Sequence, residues 1–153
     1  MIVTTAAGRA SILRRYRRVA VLGASNNPLR AVYFVMSYLK QRGLDLVPIN
    51  PAYDEVLGLP CLPSLKHADP PPEIVDVFRN PADLPGIVDE VIEVGAPVLW
   101  LQYGVIHEGA IRRADEAGLQ VVADRCMKVE WARLNGGLAA AGMNTGYVTS
   151  RRG

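Results

Sequence analysis

Cysteine is scarce in this chain: Cys61 and Cys126 are the only two in 153 residues. They lie far apart, with neither metal-site spacing nor a CxxC pattern. A zinc module and a disulfide scaffold are therefore excluded, and a reduced pair in a cytoplasmic protein is the expectation. Long hydrophobic runs are missing too. No stretch approaches the ~20 apolar residues that a bilayer-spanning helix needs. Met1 to Ala7 lack a basic segment followed by an apolar run, so no secretory leader is expected. Histidine is nearly absent. His67 and His107 stand alone, without ligands at metal spacing or a serine or cysteine nucleophile in a motif. His107, close to a helix start, reads as structural. Nor is there a strong excess of one charge: 17 Lys and Arg face 15 Asp and Glu, for a net charge of +2, too little to point to nucleic acid. The one basic run, Arg14-Arg15-Tyr16-Arg17-Arg18, reads first as a solvated helix end leading into a strand. A phosphate-facing role is its alternative.

What is present is an alternation. Half of the residues are apolar, and the length suits one domain with a proper core. Gly8 to Tyr16 reads as a short amphipathic helix. Val19 to Leu22 is a continuous apolar run, the mark of a strand covered on both faces, and Leu44 to Asn50, Ile74 to Phe78, Val98 to Leu101 and Leu119 to Ala123 read as further strands. Between them come helical stripes. Val32, Val35, Met36 and Leu39 follow an Asn27-Pro28 start and end at Gly43. Leu84, Ile87, Val88, Val91 and Ile92 follow an Asn80-Pro81 start and end at Gly95. Glu108 to Ala117 is capped by Gly118, and Met127 to Leu134 adds a last short helix. The segment after the second strand reads as a loop through Tyr53, Gly58, Pro60 and Pro63, with a short strand at Leu59 to Leu62. Asp69-Pro70-Pro71-Pro72 reads as a stiff extended linker. The glycine- and alanine-rich tail from Asn135 is expected to be loosely held. The pattern predicts an α/β protein: a Rossmann-like, doubly wound, mainly parallel sheet with helices on both faces. Ligands of such sheets sit beyond the carboxyl ends of the strands, where strand order reverses.

Those strand ends carry the chemistry. Val19-Ala20-Val21-Leu22-Gly23-Ala24-Ser25-Asn26-Asn27-Pro28-Leu29-Arg30 reads as a strand, a tight turn and a helix start, a place where free N–H groups suit a phosphate. A dinucleotide fingerprint would add two more glycines and an acidic residue after the second strand. Ser25 replaces the second glycine, and Asn50-Pro51 stand where the acid would hold a ribose, which argues against NAD. Arg30 is expected in the first helical turn, where a cation opposes the dipole. It is either a phosphate clamp or an arginine bent into solvent. Phe78 and Arg79, at the end of the third strand, offer an aromatic plane and a guanidinium to an adenine and a phosphate. The plainer reading splits them into a core phenylalanine, a surface arginine and an N-cap Asn80. Gln102 is placed to bond a ligand amide, Gly104 permits close backbone approach, and Asp124-Arg125-Cys126 is a polar strand end that would line the pocket. Asp76, inside an apolar strand, is expected to bond a neighbouring loop rather than to catalyse.

These residues carry a resemblance. Val19 to Ser25, Pro48-Ile49-Asn50-Pro51, Val75-Asp76-Val77-Phe78-Arg79, Trp100-Leu101-Gln102-Tyr103-Gly104-Val105 and Asp124-Arg125-Cys126 resemble the small stand-alone CoA-binding proteins. That family is similar to the CoA-binding domain of the succinyl-CoA synthetase alpha subunit. The likeness runs from about Leu13 to Leu134 and implies a CoA-binding domain spanning 1–153. It implies that coenzyme A, free or acylated, lies across the strand ends. Gly23, Ala24, Ser25 and Asn26 would meet the diphosphate with Arg30 nearby, Asn50 and Pro51 would border the nucleotide, and Val77, Phe78, Arg79 and Asn80 would hold the adenine-ribose and pantetheine side. The synthetase's second domain, with its phosphorylated histidine, has no counterpart before Gly153, so ligase activity is not carried over. The expectation is a non-catalytic module with a small-molecule partner and no nucleic-acid or membrane partner, its homo-oligomeric state left open. The alternatives are an NAD(P)-binding oxidoreductase or an acyl-CoA-using enzyme relying on Cys126 or Asp76.

Overall fold

A computed structural model describes residues 1–135. The tail expected to be loosely held lies outside the described residues. The chain opens with helix α1 (Ala6–Arg15), which starts two residues earlier than its apolar pattern suggests. Thr5 caps it: its hydroxyl accepts a bond from the Gly8 N–H at 3.0 Å. Strand β1 (Arg18–Leu22) follows, then helix α2 (Ala31–Gln41) and strand β2 (Asp45–Ile49). After a hairpin of β3 (Glu55–Val56) and β4 (Leu59–Pro60) come strand β5 (Ile74–Val77), helix α3 (Leu84–Val94) and strand β6 (Val98–Leu101). Helix α4 (Glu108–Glu116), strand β7 (Gln120–Val122) and helix α5 (Met127–Asn135) complete it.

Five strands form one parallel sheet in the order β2-β1-β5-β6-β7. The chain builds outward from β1 to β2, then returns to the other side of β1 with β5. The reversal lies between the carboxyl ends of β1 and β5. Each face of the sheet buries a separate apolar layer. Val19, Val21, Ile74, Val98 and Trp100 pack with α1, α2 and α5. Ala20, Leu22, Val75, Val77, Leu99 and Leu101 pack with α3 and α4. Both layers are needed because strands covered on two sides have no solvent face, which is why their sequences run apolar without alternation.

Three features differ from the sequence reading. Both Asn-Pro pairs begin turns rather than helices. The Asn27 side chain accepts from Leu29 N and its carbonyl from Arg30 N, both at 3.0 Å, so α2 starts only at Ala31. Pro81 to Asp83 form a single 3-10 turn before α3. Asn27 satisfies nearby N–H groups with its side chain and its carbonyl, whereas Asn80 does so with its carbonyl alone, accepting the Asp83 N–H at 3.0 Å; in both cases the helix begins one turn later. In place of the expected loop with one short strand stands the β3–β4 hairpin: Leu57 and Gly58 both adopt left-handed φ (52° and 75°), a two-residue turn for which leucine gives no signal.

The helix caps carry one stability prediction. The His107 Nδ1 accepts the Ala110 N–H at 3.1 Å at the start of α4. The structural reading of His107 is thereby given its atom. Replacing it, His107→Ala, should cost about 1 kcal/mol. A thermal melt lowered by roughly 2–4 °C would be the observable.

Candidate functional site

A cleft of about 570 Å³ opens at the reversal point, lined by the ends of β1, β2, β5 and β6 and by the start of α2. Of the residues singled out from sequence, Gly23, Ser25, Arg30, Asn50, Phe78, Arg79, Asn80 and Gln102 line it. The sheet order alone brings these four chain segments together.

Gly23 makes the turn possible. Its φ is 86°, and its N–H donates to the Ile49 carbonyl at 3.1 Å. A Cβ at this position would lie 2.3 Å from the Phe78 carbonyl oxygen. The turn is therefore pressed between β2 and β5 with no room for a side chain. Ser25, nearly buried, turns its hydroxyl inward. The Oγ accepts the Asn27 N–H at 3.0 Å and lies 3.3 Å from the Tyr53 hydroxyl. Tyr53 is thus brought over the first turn, although sequence reasoning treated it as loop. An aromatic three residues beyond the Asn50 strand end was the available signal.

Arg30 is not in the first helical turn, as its sequence position suggested. It is the N-cap residue of α2, with extended backbone (φ −93°, ψ 144°), and an arginine cannot accept a capping bond. No acidic residue stands in the first turn of α2. The helix start facing the cleft, with Ala31 and Val32 in the lining, therefore presents uncapped N–H donors beside a guanidinium. At the end of β5 the Arg79 guanidinium bonds the Asp83 carboxylate at 3.1 Å. Asn80 does not use its side chain as a cap, and lines the cleft instead. Phe78 is half-buried in the wall and packs against the core from that position.

Asn50 explains the missing ribose acid in physical terms. Its Nδ2 donates to the Ala24 carbonyl at 2.8 Å and its Oδ1 accepts the Ala52 N–H at 2.9 Å. The side chain ties the β2 end to the first turn. Gln102, expected to reach a ligand amide, uses its Oε1 to accept the Met127 N–H at 3.1 Å, holding α5 against the cleft floor.

Eight of the singled-out residues stand outside the lining. Ala24 is fully buried and contributes its carbonyl to Asn50. Asn26 clips the β3–β4 hairpin: its Nδ2 donates to the Glu55 carbonyl at 2.7 Å and its Oδ1 accepts the Leu57 N–H at 3.2 Å. Pro51 is exposed beside the cleft. Val77 is sealed in the core below Phe78, because in a strand only alternate side chains share a face. Gly104, with left-handed φ, donates its N–H to Asp124 Oδ1 at 2.9 Å and also lies outside the lining. The Asp124-Arg125-Cys126 end does not line the cleft either. Asp124 holds Gly104, the Arg125 carbonyl accepts from the Trp100 indole at 2.9 Å, and Cys126 is buried. Burial pushes the Cys126 thiol above its ordinary value, which keeps it protonated and weakly nucleophilic.

Asp76 is the clearest correction. It bonds no loop: both carboxyl oxygens are buried without a hydrogen-bond partner among the described residues. It lies in register between Val21 and Trp100, and desolvation drives its carboxyl well above the usual range. The basic run is also structural in part. Arg17 bonds the Gly43 carbonyl and lies over the Trp131 ring, and Arg18 pairs with Asp45 at 2.8 Å.

The remaining lining residues, Ala52, Tyr103 and Val105 among them, were missed as site residues because their side chains carry no phosphate-binding signature. Among the described residues the lining contains two arginines and no carboxylate, and one of the two, Arg79, is paired with Asp83 from outside the lining. Among the described residues no cluster of three or more His, Cys, Asp or Glu is arranged to hold a metal. None of the described helices is long and apolar enough to cross a membrane.

Comparison with known proteins follows the same outline. The pattern of a family described as CoA binding domain matches residues 17–132. The chain is 41% identical over 121 residues to the uncharacterized protein YneT of Bacillus subtilis (strain 168), covering 79% of this chain and 90% of that one. It is 29% identical over 122 residues to acetate–CoA ligase (ADP-forming) I of Archaeoglobus fulgidus, covering 71% of this chain and 17% of the ligase, so it corresponds to a small part of that enzyme. The solved structure of a hypothetical protein from Pyrococcus horikoshii OT3 superimposes with a TM-score of 0.83 at 43% identity, covering 86% of this chain and 92% of that one.

Proposed function

The chain belongs to the CoA-binding domain family, and we propose that it holds coenzyme A or an acyl-CoA in the cleft as a sensor, carrier or regulatory module, without chemistry of its own. The observation that carries this reading is the lining itself: among the described residues it holds Arg30 at the start of α2 and Arg79 at the end of β5, no carboxylate, and an uncapped helix start. Coenzyme A bears a diphosphate and a 3′-phosphate, so a cleft with two guanidinium groups matches its charge. The diphosphate belongs at the Gly23 to Ser25 turn and the α2 start, with Arg30. Asn50 and Tyr53 border the nucleotide. Phe78, Arg79 and Asn80 form the wall for the adenine-ribose and pantetheine side.

Two facts favour a binding role over an enzyme. Cys126 and Asp76, on which a catalytic alternative would depend, are both buried. Burial also holds each in its protonated form to higher pH than usual, so neither is a ready nucleophile or base at the cleft surface. The Asn50 side chain, committed to the first turn, provides no carboxylate for an NAD ribose.

Calorimetry with CoA, acetyl-CoA, NAD and ATP tests the reading. Binding of both CoA species with little heat from NAD is the expected result; an NAD isotherm with silence from CoA would refute it. Arg30→Ala should weaken CoA by about 1.5–3 kcal/mol, the worth of a charge-assisted contact. An unchanged dissociation constant in that variant would remove Arg30 from the site.

A further inference from the structure

Asp83 is an acid spent in an unusual way. It stands at the N-cap of α3, where a carboxylate ordinarily accepts the helix's free N–H groups, yet it makes no capping bond. Its backbone is already helical (φ −82°, ψ −12°), which turns the side chain away from those donors. The carboxylate instead meets Arg79 four residues earlier, at 3.1 Å, through a single nitrogen of the guanidinium. Arg79 is anchored at its other end: a Cβ on Gly23 would come within 3.3 Å of the Arg79 Cδ, so the stem of this arginine lies along the first turn. Both partners are about half exposed, 45% and 41%. The one cation on the β5 wall of the cleft is therefore already neutralised by a carboxylate outside the lining.

From this we infer that Asp83 sets the affinity and selectivity of the cleft by competing with the bound anion for Arg79. The inference rests on the CoA reading of that cleft. A phosphate arriving beside Gly23 exchanges the single Asp83 contact for its own. Exposed ion pairs are weak, so the exchange is easy, but it opposes every anion that fails to engage Arg79 well. A planar guanidinium gains most from a phosphate that accepts two of its donors at once, so the competition favours phosphate esters over monodentate anions.

The test is a double-mutant cycle on the folded protein, with thermal melts establishing that each variant folds. CoA is titrated calorimetrically into the wild type, Asp83→Asn, Arg79→Gln and the double variant. Asp83→Asn should tighten CoA by about two- to fivefold, the worth of an exposed pair. In the Arg79→Gln background the same change should have little effect. Weaker or unchanged binding in Asp83→Asn overturns the inference, and so does equal tightening in both backgrounds, which would mean that Asp83 merely repels anions at a distance. Inorganic pyrophosphate at low salt provides a second probe with the same expected order. If the four proteins rank in that order for pyrophosphate but the wild type takes no CoA, the CoA reading fails while the competition stands. If it takes neither, both fail.

Discussion

Gly23→Ala should cost roughly 3–5 kcal/mol of folding stability. Two penalties combine. At φ 86° an alanine sits in the left-handed region that its Cβ disfavours, and the same Cβ would stand 2.3 Å from the Phe78 carbonyl oxygen and 3.1 Å from its carbon. The atoms it meets are backbone, part of a strand end bonded to Leu22 on one side, so they cannot swing away as a flexible side chain would. Relief requires moving β1 and β5 apart at the reversal point. Against a total stability of about 5–15 kcal/mol for a domain, that is a large share. A melting temperature lower by about 8 °C or more is expected, with weakened CoA binding in whatever remains folded. A Gly23→Ala protein that melts within 2 °C of wild type would mean that the turn relaxes in a way this geometry does not allow.

The second large effect is a pH dependence. In the unfolded chain Asp76 ionises with an ordinary carboxyl value of about 3.9. In the native chain burial without a hydrogen-bond partner raises that value well above the usual range. Below about pH 4 both states hold the proton, and Asp76 does not oppose folding through its charge. As the pH rises, the unfolded chain releases the proton while the native chain retains it. The native state then binds more protons, so stability falls by about 1.4 kcal/mol per pH unit until the native value is reached, and levels off above it. Urea unfolding of wild type and Asp76→Asn between pH 4.5 and 8 isolates the contribution. The difference between the two should grow steadily with pH in favour of the asparagine variant. Parallel pH profiles would show that Asp76 has a partner after all. The comparison uses slopes because the buried asparagine amide brings its own unmet donors, a cost that does not vary with pH.

Much of the molecule was legible without coordinates, for a reason visible in particular residues. Apart from Arg18 at the start of β1 and Asp76 in β5, strands β1, β5 and β6 are short runs of Val, Ile, Leu, Ala and Trp because they are covered on both faces, and that burial writes itself into consecutive positions. Helix α3 was equally plain, since Leu84, Ile87, Val88 and Val91 keep one face against the sheet. Helices α2 and α3 start one turn later than their Asn-Pro pairs suggest. An Asn-Pro pair signals that the chain is about to turn, but whether it turns into an α-helix or a preliminary 3-10 loop depends on where the asparagine oxygen finds its donor. The hairpin of β3 and β4 escaped because Leu57 adopts a left-handed conformation that glycine or asparagine would have announced.

For the site, sequence determined the chemistry, and tertiary structure decided who takes part. Local rules are enough to place a glycine turn after β1, an asparagine instead of an acid after β2, and an arginine after β5. They act over a few residues and leave their mark in a few residues. Which side chains share one cleft depends on the strand order β2-β1-β5-β6-β7, and that order arises from packing across both faces of the sheet. Only there does Tyr53 come over Ser25, Asn26 turn away to clip a hairpin, and Asp76 find itself sealed without a partner. These outcomes depend on neighbours 24 and more residues distant in the chain, for which no short-range pattern exists.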